Sequence, residues 1–303
     1  MTQVSTSSRS NKSTNGRSKM EWVKAGVRAV SPVAPELAAY VAFGLMLRAC
    51  RHPRPAREAE LLGTAESWSL PWRDDGHEAE LPIWAWGRGP VVLLVHGWEG
   101  RGAQLGAFVP PLVEAGFRVV TFDGPGHGDS TAKRASLVDM ARAVGAIADE
   151  VAPIMGGVHA VVAHSMGGAS AVLAASKQLA RGSLTSSRFV LIAPPAHPER
   201  FTRTVFEALS LSEGVQHRVV DRMERHLGAR FEDLDGPTAA SRLDGPALVV
   251  HDTDDREVPF SDGERYADSW PNARIVGTRG LGHRRILRDP GVIDQVTQFV
   301  RAT

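Results

Sequence analysis

Apolar positions in this chain fall into two alternating rhythms, short unbroken runs and longer stretches with helical spacing. Val91 to Val95 is five apolar residues in a row between Pro90 and His96-Gly97. A run that short without polar alternation predicts a strand buried on both faces. Arg118 to Phe122, His159 to Ala163, Phe189 to Ala193, Ala247 to His251 and Arg274 to Gly277 read as strands of similar length. Glu66 to Trp72 and Glu78 to Trp86 read as two further strands joined by the turn Asp74-Asp75-Gly76. Helical spacing falls between the runs, over Gln104 to Ala115, Leu137 to Val151, Ala169 to Leu179 and Val292 to Val300. Strand alternating with helix implies βαβ units, hence an α/β fold whose mostly parallel sheet carries helices on both faces.

The alternation stops between Pro194 and Pro246. Glu199 to Leu211 and Glu213 to Leu227 are charged, amphipathic and helical in pattern, so this stretch reads as a small helical cap inserted at about 196–245. The beginning of the chain is different again. Residues 1–20 are Ser, Thr, Asn, Lys and Arg with almost nothing apolar, and the expectation is a disordered polar tail. Residues 21–60 read as an N-terminal helical segment, leaving 61–303 for the α/β domain with its cap.

Composition narrows the function. The 303 residues are 43% hydrophobic and 23% charged, and 35 basic against 34 acidic residues leave a formal charge of +1. No field of one sign points to nucleic acid. The single cysteine, Cys50, excludes an intrachain disulfide and a cysteine-based metal cluster, and a reducing, cytoplasmic setting is expected. The longest uncharged apolar run near the N-terminus, Leu37 to Leu47, is too short to span a bilayer. Basic residues beside it (Lys24, Arg28) leave an interfacial membrane anchor as the alternative to a helix packed on the domain.

The candidate chemistry centres on Val161-Val162-Ala163-His164-Ser165-Met166-Gly167-Gly168. A strand runs into a serine flanked by small residues, and a helix follows at once. A serine hydroxyl is a poor nucleophile unless it is held out of the backbone beside a base and an oxyanion site, and a tight strand-to-helix turn supplies that geometry. For the base the sequence offers His283, in Gly280-Leu281-Gly282-His283 after the last strand. For the acid it offers Asp255, in Asp252-Thr253-Asp254-Asp255-Arg256-Glu257-Val258-Pro259, with Asp252 and Asp254 as rivals. The two oxyanion donors are expected to be the backbone N–H groups of Met166 and, from the loop after Val95, Trp98.

Taken together, His96-Gly97-Trp98, Asp123-x-x-Gly126-His127-Gly128-x-Ser130, the Ser165 turn, Asp255-x-x-Val258-Pro259 and Gly282-His283 make the chain resemble the α/β-hydrolase superfamily from about Trp68 to Val300. Ala163 stands where the commonest pattern has glycine. The resemblance implies an eight-stranded sheet in which strand two alone is antiparallel, and a cap between strands six and seven. It also implies a serine hydrolase, since relatives with an aspartate nucleophile, the haloalkane dehalogenases and epoxide hydrolases, differ at the elbow.

On this reading the chain is a carboxylesterase for small to medium acyl groups, with a small-molecule acyl substrate and no cofactor or metal. Trp98, Phe201, Phe206, Leu209 and Leu211 are candidate walls of an acyl pocket. A thioesterase, an acyltransferase or a carbon–carbon bond hydrolase would use the same triad, and a non-catalytic relative would keep the fold as a binding protein. Acyl length, leaving group and oligomeric state are not written in the pattern.

Overall fold

A computed structural model of the chain describes residues 14–74, 76–155, 157–177, 179, 183–184 and 187–302. They fall into two compact units. One contains the N-terminal helices and the segment Glu199–Gly228; the other contains Leu47–Pro198 and Ala229–Thr303.

The larger unit is built on a sheet of eight strands among the described residues: β1 (Glu66–Asp74), β2 (His77–Trp86), β3 (Val91–Val95), β4 (Arg118–Phe122), β5 (Val158–His164), β6 (Arg188–Ile192), β7 (Ala247–Asp252) and β8 (Ala273–Thr278). Their order is β1-β2-β4-β3-β5-β6-β7-β8. β2 runs antiparallel to both β1 and β4, and every other neighbouring pair is parallel. The uninterrupted apolar runs are the strands covered on both faces: all of β3 and β7 is buried, while β1 at the edge alternates with solvent. The β1–β2 hairpin turns through Gly76 at φ +85, a conformation that costs glycine little.

Because β4 lies on one side of β3 and β5 on the other, the chain changes winding direction there. Val95 pairs in register with Ala163, so β3 and β5 end side by side. Ligands of open parallel sheets bind in the crevice at that point, beyond the carboxyl ends of the strands.

The chain begins with α1 (Thr14–Val30) and α2 (Pro35–Met46), then α3 (Ala56–Leu62), followed by α4 (Val109–Glu114), α5 (Leu137–Met155) and α6 (Met166–Ser176). α7 (Pro198–Leu209), α8 (Glu213–Leu227), α9 (Gly236–Ala240), α10 (Phe260–Ser269), α11 (Gly282–Arg285) and α12 (Pro290–Arg301) complete the set. The described part of the expected polar tail is corrected by α1, which starts at Thr14; residues 1–13 lie outside the described residues. The N-terminal helical segment divides at Pro32 and Pro35: a proline lacks the N–H that would continue α1, while Pro35 opens α2. The helix expected over 104–115 is a 3₁₀ stretch, Gly102–Phe108, leading into α4. The helix expected from Ala169 starts earlier, at Met166, directly after Ser165.

In the smaller unit α2 packs against α8. Glu36 on α2 accepts from Arg218 at 2.8 Å and Arg222 at 2.7 Å on α8. Val215, Val219, Met223 and Leu227 recur every four residues on the buried side of α8, which ends at Gly228 with φ +66. The expected insertion of 196–245 is therefore longer than the segment that separates from the sheet, since Ala229 onward belongs to the larger unit. Among the described residues no helix is long and apolar enough to cross a membrane.

Candidate active site

Ser165 occupies the step between β5 and α6 with φ 53 and ψ −129, and it is not a glycine. Such a backbone is costly and persists only where neighbours over-determine it. The neighbours here are small. A Cβ placed on Gly97 would lie 2.9 Å from Ser165 Cβ, and one on Gly167 would meet His96 O at 2.4 Å and Val95 O at 2.7 Å. Two glycines thus let the ends of β3 and β5 close around the serine.

His283, the first residue of α11 after Gly282, is nearly buried. Its Nδ1–H donates to Asp255 Oδ2 over 2.7 Å. Asp255 Oδ1 accepts the backbone N–H groups of Glu257 at 2.8 Å and Val258 at 3.0 Å. His251 lies behind it, with Nε2 donating to Val258 O at 3.0 Å and 3.6 Å from Asp255 Oδ2. Burial alone would raise the Asp255 pKa, but the His251 and His283 imidazoles and the Val258 N–H outweigh it and hold the carboxyl well below the usual range. The carboxylate is therefore ionised wherever the imidazole is expected to act.

The rival acids are occupied differently. Asp252 accepts from Asp254 N–H, Thr278 Oγ1 and Leu281 N–H, which ties down the loop that delivers His283. Asp254 is half exposed at the surface, 4.0 Å from Arg279. Of the three carboxylates, Asp255 is the one that meets the imidazole.

His164, next to Ser165, joins the two sides of the site. Its Nε2–H donates to His283 O over 2.9 Å, and the two rings are 4.6 Å apart. Burial, reinforced by the facing His283 ring, pushes His164 down to about 3, so it stays neutral and keeps this donor.

Met166 follows the serine in the chain, and Gly97, the residue before Trp98, approaches it closely. Met166 is the first residue of α6, where backbone N–H groups have no intrahelical acceptor and the helix dipole is positive. Trp98 follows Gly97, and its orientation is set by His96. His96 Nδ1–H donates to Gly97 O at 2.8 Å, while Nε2 accepts Gly124 N–H at 3.0 Å. Burial lowers its pKa to about 4, which keeps the ring in this neutral tautomer. Gly97 O also accepts Gly100 N–H at 3.0 Å. In a trans peptide the C=O of Gly97 and the N–H of Trp98 point in opposite directions, so fixing the carbonyl aims the N–H. The Trp98 ring stands edge-on to His127, 5.1 Å away.

Phe201, Phe206 and Leu209 lie on α7, in the smaller unit; Phe206 and Leu209 are buried there and Phe201 is exposed. Leu211, just beyond α7, is also buried. Sequence reasoning passed over His164 and His251 as site-building residues, and weighed Asp252 only as a rival acid, not as the anchor of the His283 loop. His164 is in the quoted serine motif and His251 lies near the end of β7, so position beside a strand end was the available signal. Among the described residues no group of three or more His, Cys, Asp and Glu side chains is arranged to hold a metal ion.

A strained serine between a strand and a helix, with a histidine–aspartate pair delivered by later strands, defines an α/β-hydrolase type of site. Residues 92–295 match the model of the alpha/beta hydrolase family, and the chain belongs to that family. A pimeloyl-[acyl-carrier protein] methyl ester esterase of Methylococcus capsulatus is 52% identical over 44 residues, a match that spans 14% of this chain and 17% of that protein. The non-heme chloroperoxidase CPO-A1 of Kitasatospora aureofaciens is 26% identical over 65% of this chain and 86% of its own length. Among solved structures, ferulic acid-bound Est1E from Butyrivibrio proteoclasticus superposes with a TM-score of 0.57 at 20% identity, covering 77% of this chain and 96% of that one.

Proposed function

We propose that this chain is a serine carboxylesterase with Ser165 as nucleophile, His283 as general base and acid, and Asp255 as the residue that orients the imidazole. The observation that carries the reading is the 2.7 Å contact between His283 Nδ1 and Asp255 Oδ2, taken with a serine held at φ 53 between β5 and α6. A donated Nδ1–H leaves Nε2 as the basic atom. The local resemblance to a protein named as a pimeloyl-[acyl-carrier protein] methyl ester esterase supports ester chemistry over the other reactions open to such a triad.

In the proposed cycle Ser165 Oγ adds to the ester carbonyl while His283 Nε2 takes its proton. The carbonyl π electrons move to oxygen, and that oxyanion is bound by the Trp98 and Met166 N–H groups. Collapse breaks the bond to the alkoxy group, which leaves as alcohol with the proton from His283. Water then adds to the acyl-enzyme by the same steps, releasing the acid and restoring Ser165. The fixed Asp255 carboxylate stabilises the imidazolium in each half without taking a proton itself.

The test pairs fluorophosphonate labelling with rates on p-nitrophenyl esters of graded chain length. Labelling of wild type that vanishes in Ser165→Ala, with an optimum among short to medium chains, is the expected result. Folded wild type that neither labels nor turns over any ester would overturn the reading in favour of a non-catalytic member of the family.

A further inference from the structure

The turn expected to bind the oxyanion is gripped by a stretch of chain that lies ahead of the family-matched region, 92–295. Gly97, Trp98, Glu99 and Gly100 form a β-turn closed by Gly100 N–H and Gly97 O. Glu99, its third residue, has φ +54, a position that normally takes glycine or asparagine. A glutamate stays there only where surrounding contacts leave no alternative.

Those contacts come from residues 50–58. Cys50 N–H donates to Glu99 Oε1 at 3.3 Å, and His52 Nε2 lies 3.8 Å from Glu99 Oε2. On the other flank of the turn, Arg101 forms a two-pronged pair with Glu58 on α3, Nε to Oε2 at 2.5 Å and Nη2 to Oε1 at 3.2 Å. The side chains are only 8% and 5% exposed, so water offers neither charge a substitute partner. Between them, Arg54 reaches Asp123 at 3.1 Å and Asp129 at 2.7 Å. Asp123 in turn accepts Gly102 N–H at 2.8 Å through its other oxygen. Both sides of the turn, Glu99 and Arg101–Gly102, are thereby held by one nine-residue segment.

We infer that residues 50–58 are a clamp on the oxyanion-binding turn, with Glu58 and Arg54 as positioning residues that hold the Trp98 N–H in register with Ser165. This rests on the serine esterase reading above. The clamp acts through geometry alone: neither side chain touches the reacting atoms. Its contribution appears as charge develops on the carbonyl oxygen, because a donor slightly out of place loses more against an oxyanion than against a neutral ester.

The experiment uses the full chain and the variants Glu58→Gln, Arg54→Gln and Glu99→Ala, assayed on p-nitrophenyl butyrate. A trifluoromethyl ketone, which adds Ser165 to form a tetrahedral oxyanion, reports transition-state binding. In each variant kcat is expected to fall about 10- to 100-fold, with KM changed less than about twofold and the ketone Ki raised in step with the loss of kcat/KM. A segment that merely staples the fold would lower Tm and leave kcat, KM and ketone affinity of the folded protein unchanged, and that result overturns the clamp. Glu99→Ala strands no buried charge, so it reads out even where Glu58→Gln fails to fold. Active wild type with unaffected variants rejects the clamp alone. Inactive, unlabelled wild type rejects the esterase reading and the clamp with it.

Discussion

His283 and Asp255 meet through one oxygen of the carboxylate, Nδ1 to Oδ2 at 2.7 Å, while the other oxygen is taken by the backbone of Glu257 and Val258. The aspartate cannot swing without breaking its own turn. It offers the imidazole a fixed acceptor, which selects the tautomer with a proton on Nδ1 and a free pair on Nε2. Asp252, three residues earlier, anchors Thr278 and Leu281 and so carries the loop, not the ring.

The two aspartates should therefore separate on substitution. Asp255→Asn is expected to lower kcat on a p-nitrophenyl ester by about 10⁴-fold with a small change in Tm, because it removes the acceptor that fixes the tautomer. Asp252→Asn is expected to lower stability by about 1–3 kcal/mol through weakened charge-assisted bonds to the loop. Steady-state rates and thermal melts on both variants decide it. A larger kcat loss in Asp252→Asn would transfer the orienting role to that residue.

This separation also indicates what the sequence could and could not convey. β3 and β7 were evident because unbroken apolar runs have few ways to be satisfied except between two layers. α10 was missed: its sequence FSDGERYADS is mostly polar, and three buried residues, Asp262, Gly263 and Tyr266, carry its packing. The serine, histidine and aspartate stood out because each follows a strand end, where parallel sheets gather their sites. Glu58 and Arg101 did not, since a buried pair separated by 43 positions has no local signature. Their partnership exists only once α3 is packed against the 3₁₀ stretch that Arg101 opens.

Acid sensitivity should come from histidines before carboxylates. His96, His127 and His164 are buried, and burial first of all lowers them to about 4, about 3 and about 3. Unfolded, each would take a proton near its ordinary 6.5, so the unfolded chain binds more protons below that pH. Their neutral forms cost nothing above pH 6.5, and stability is lost as pH falls from 6.5 toward 4. Each site contributes a slope approaching about 1.4 kcal/mol per pH unit once its unfolded form is charged. Urea unfolding at pH 7.5, 6.5, 5.5 and 4.5 checks this; a flat profile above pH 5 would mean the rings are not held neutral.

The two glycines around Ser165 should fail in different ways. A methyl on Gly167 meets main-chain oxygens of His96 and Val95 at 2.4 and 2.7 Å, inside the paired ends of β3 and β5, which cannot retreat. Gly167→Ala is expected to cost about 1–3 kcal/mol or more by overpacking, seen as a large drop in Tm or yield. A methyl on Gly97 instead meets Ser165 Cβ at 2.9 Å and His164 O at 3.2 Å, a milder overlap than the one at Gly167. Gly97→Ala should therefore fold. The displacement moves the Trp98 N–H away from the nucleophile, and kcat is expected to fall about 100-fold, the loss typical of one oxyanion donor. A folded Gly97→Ala with wild-type kcat would remove Trp98 from the oxyanion site, leaving Met166 to act with some other donor.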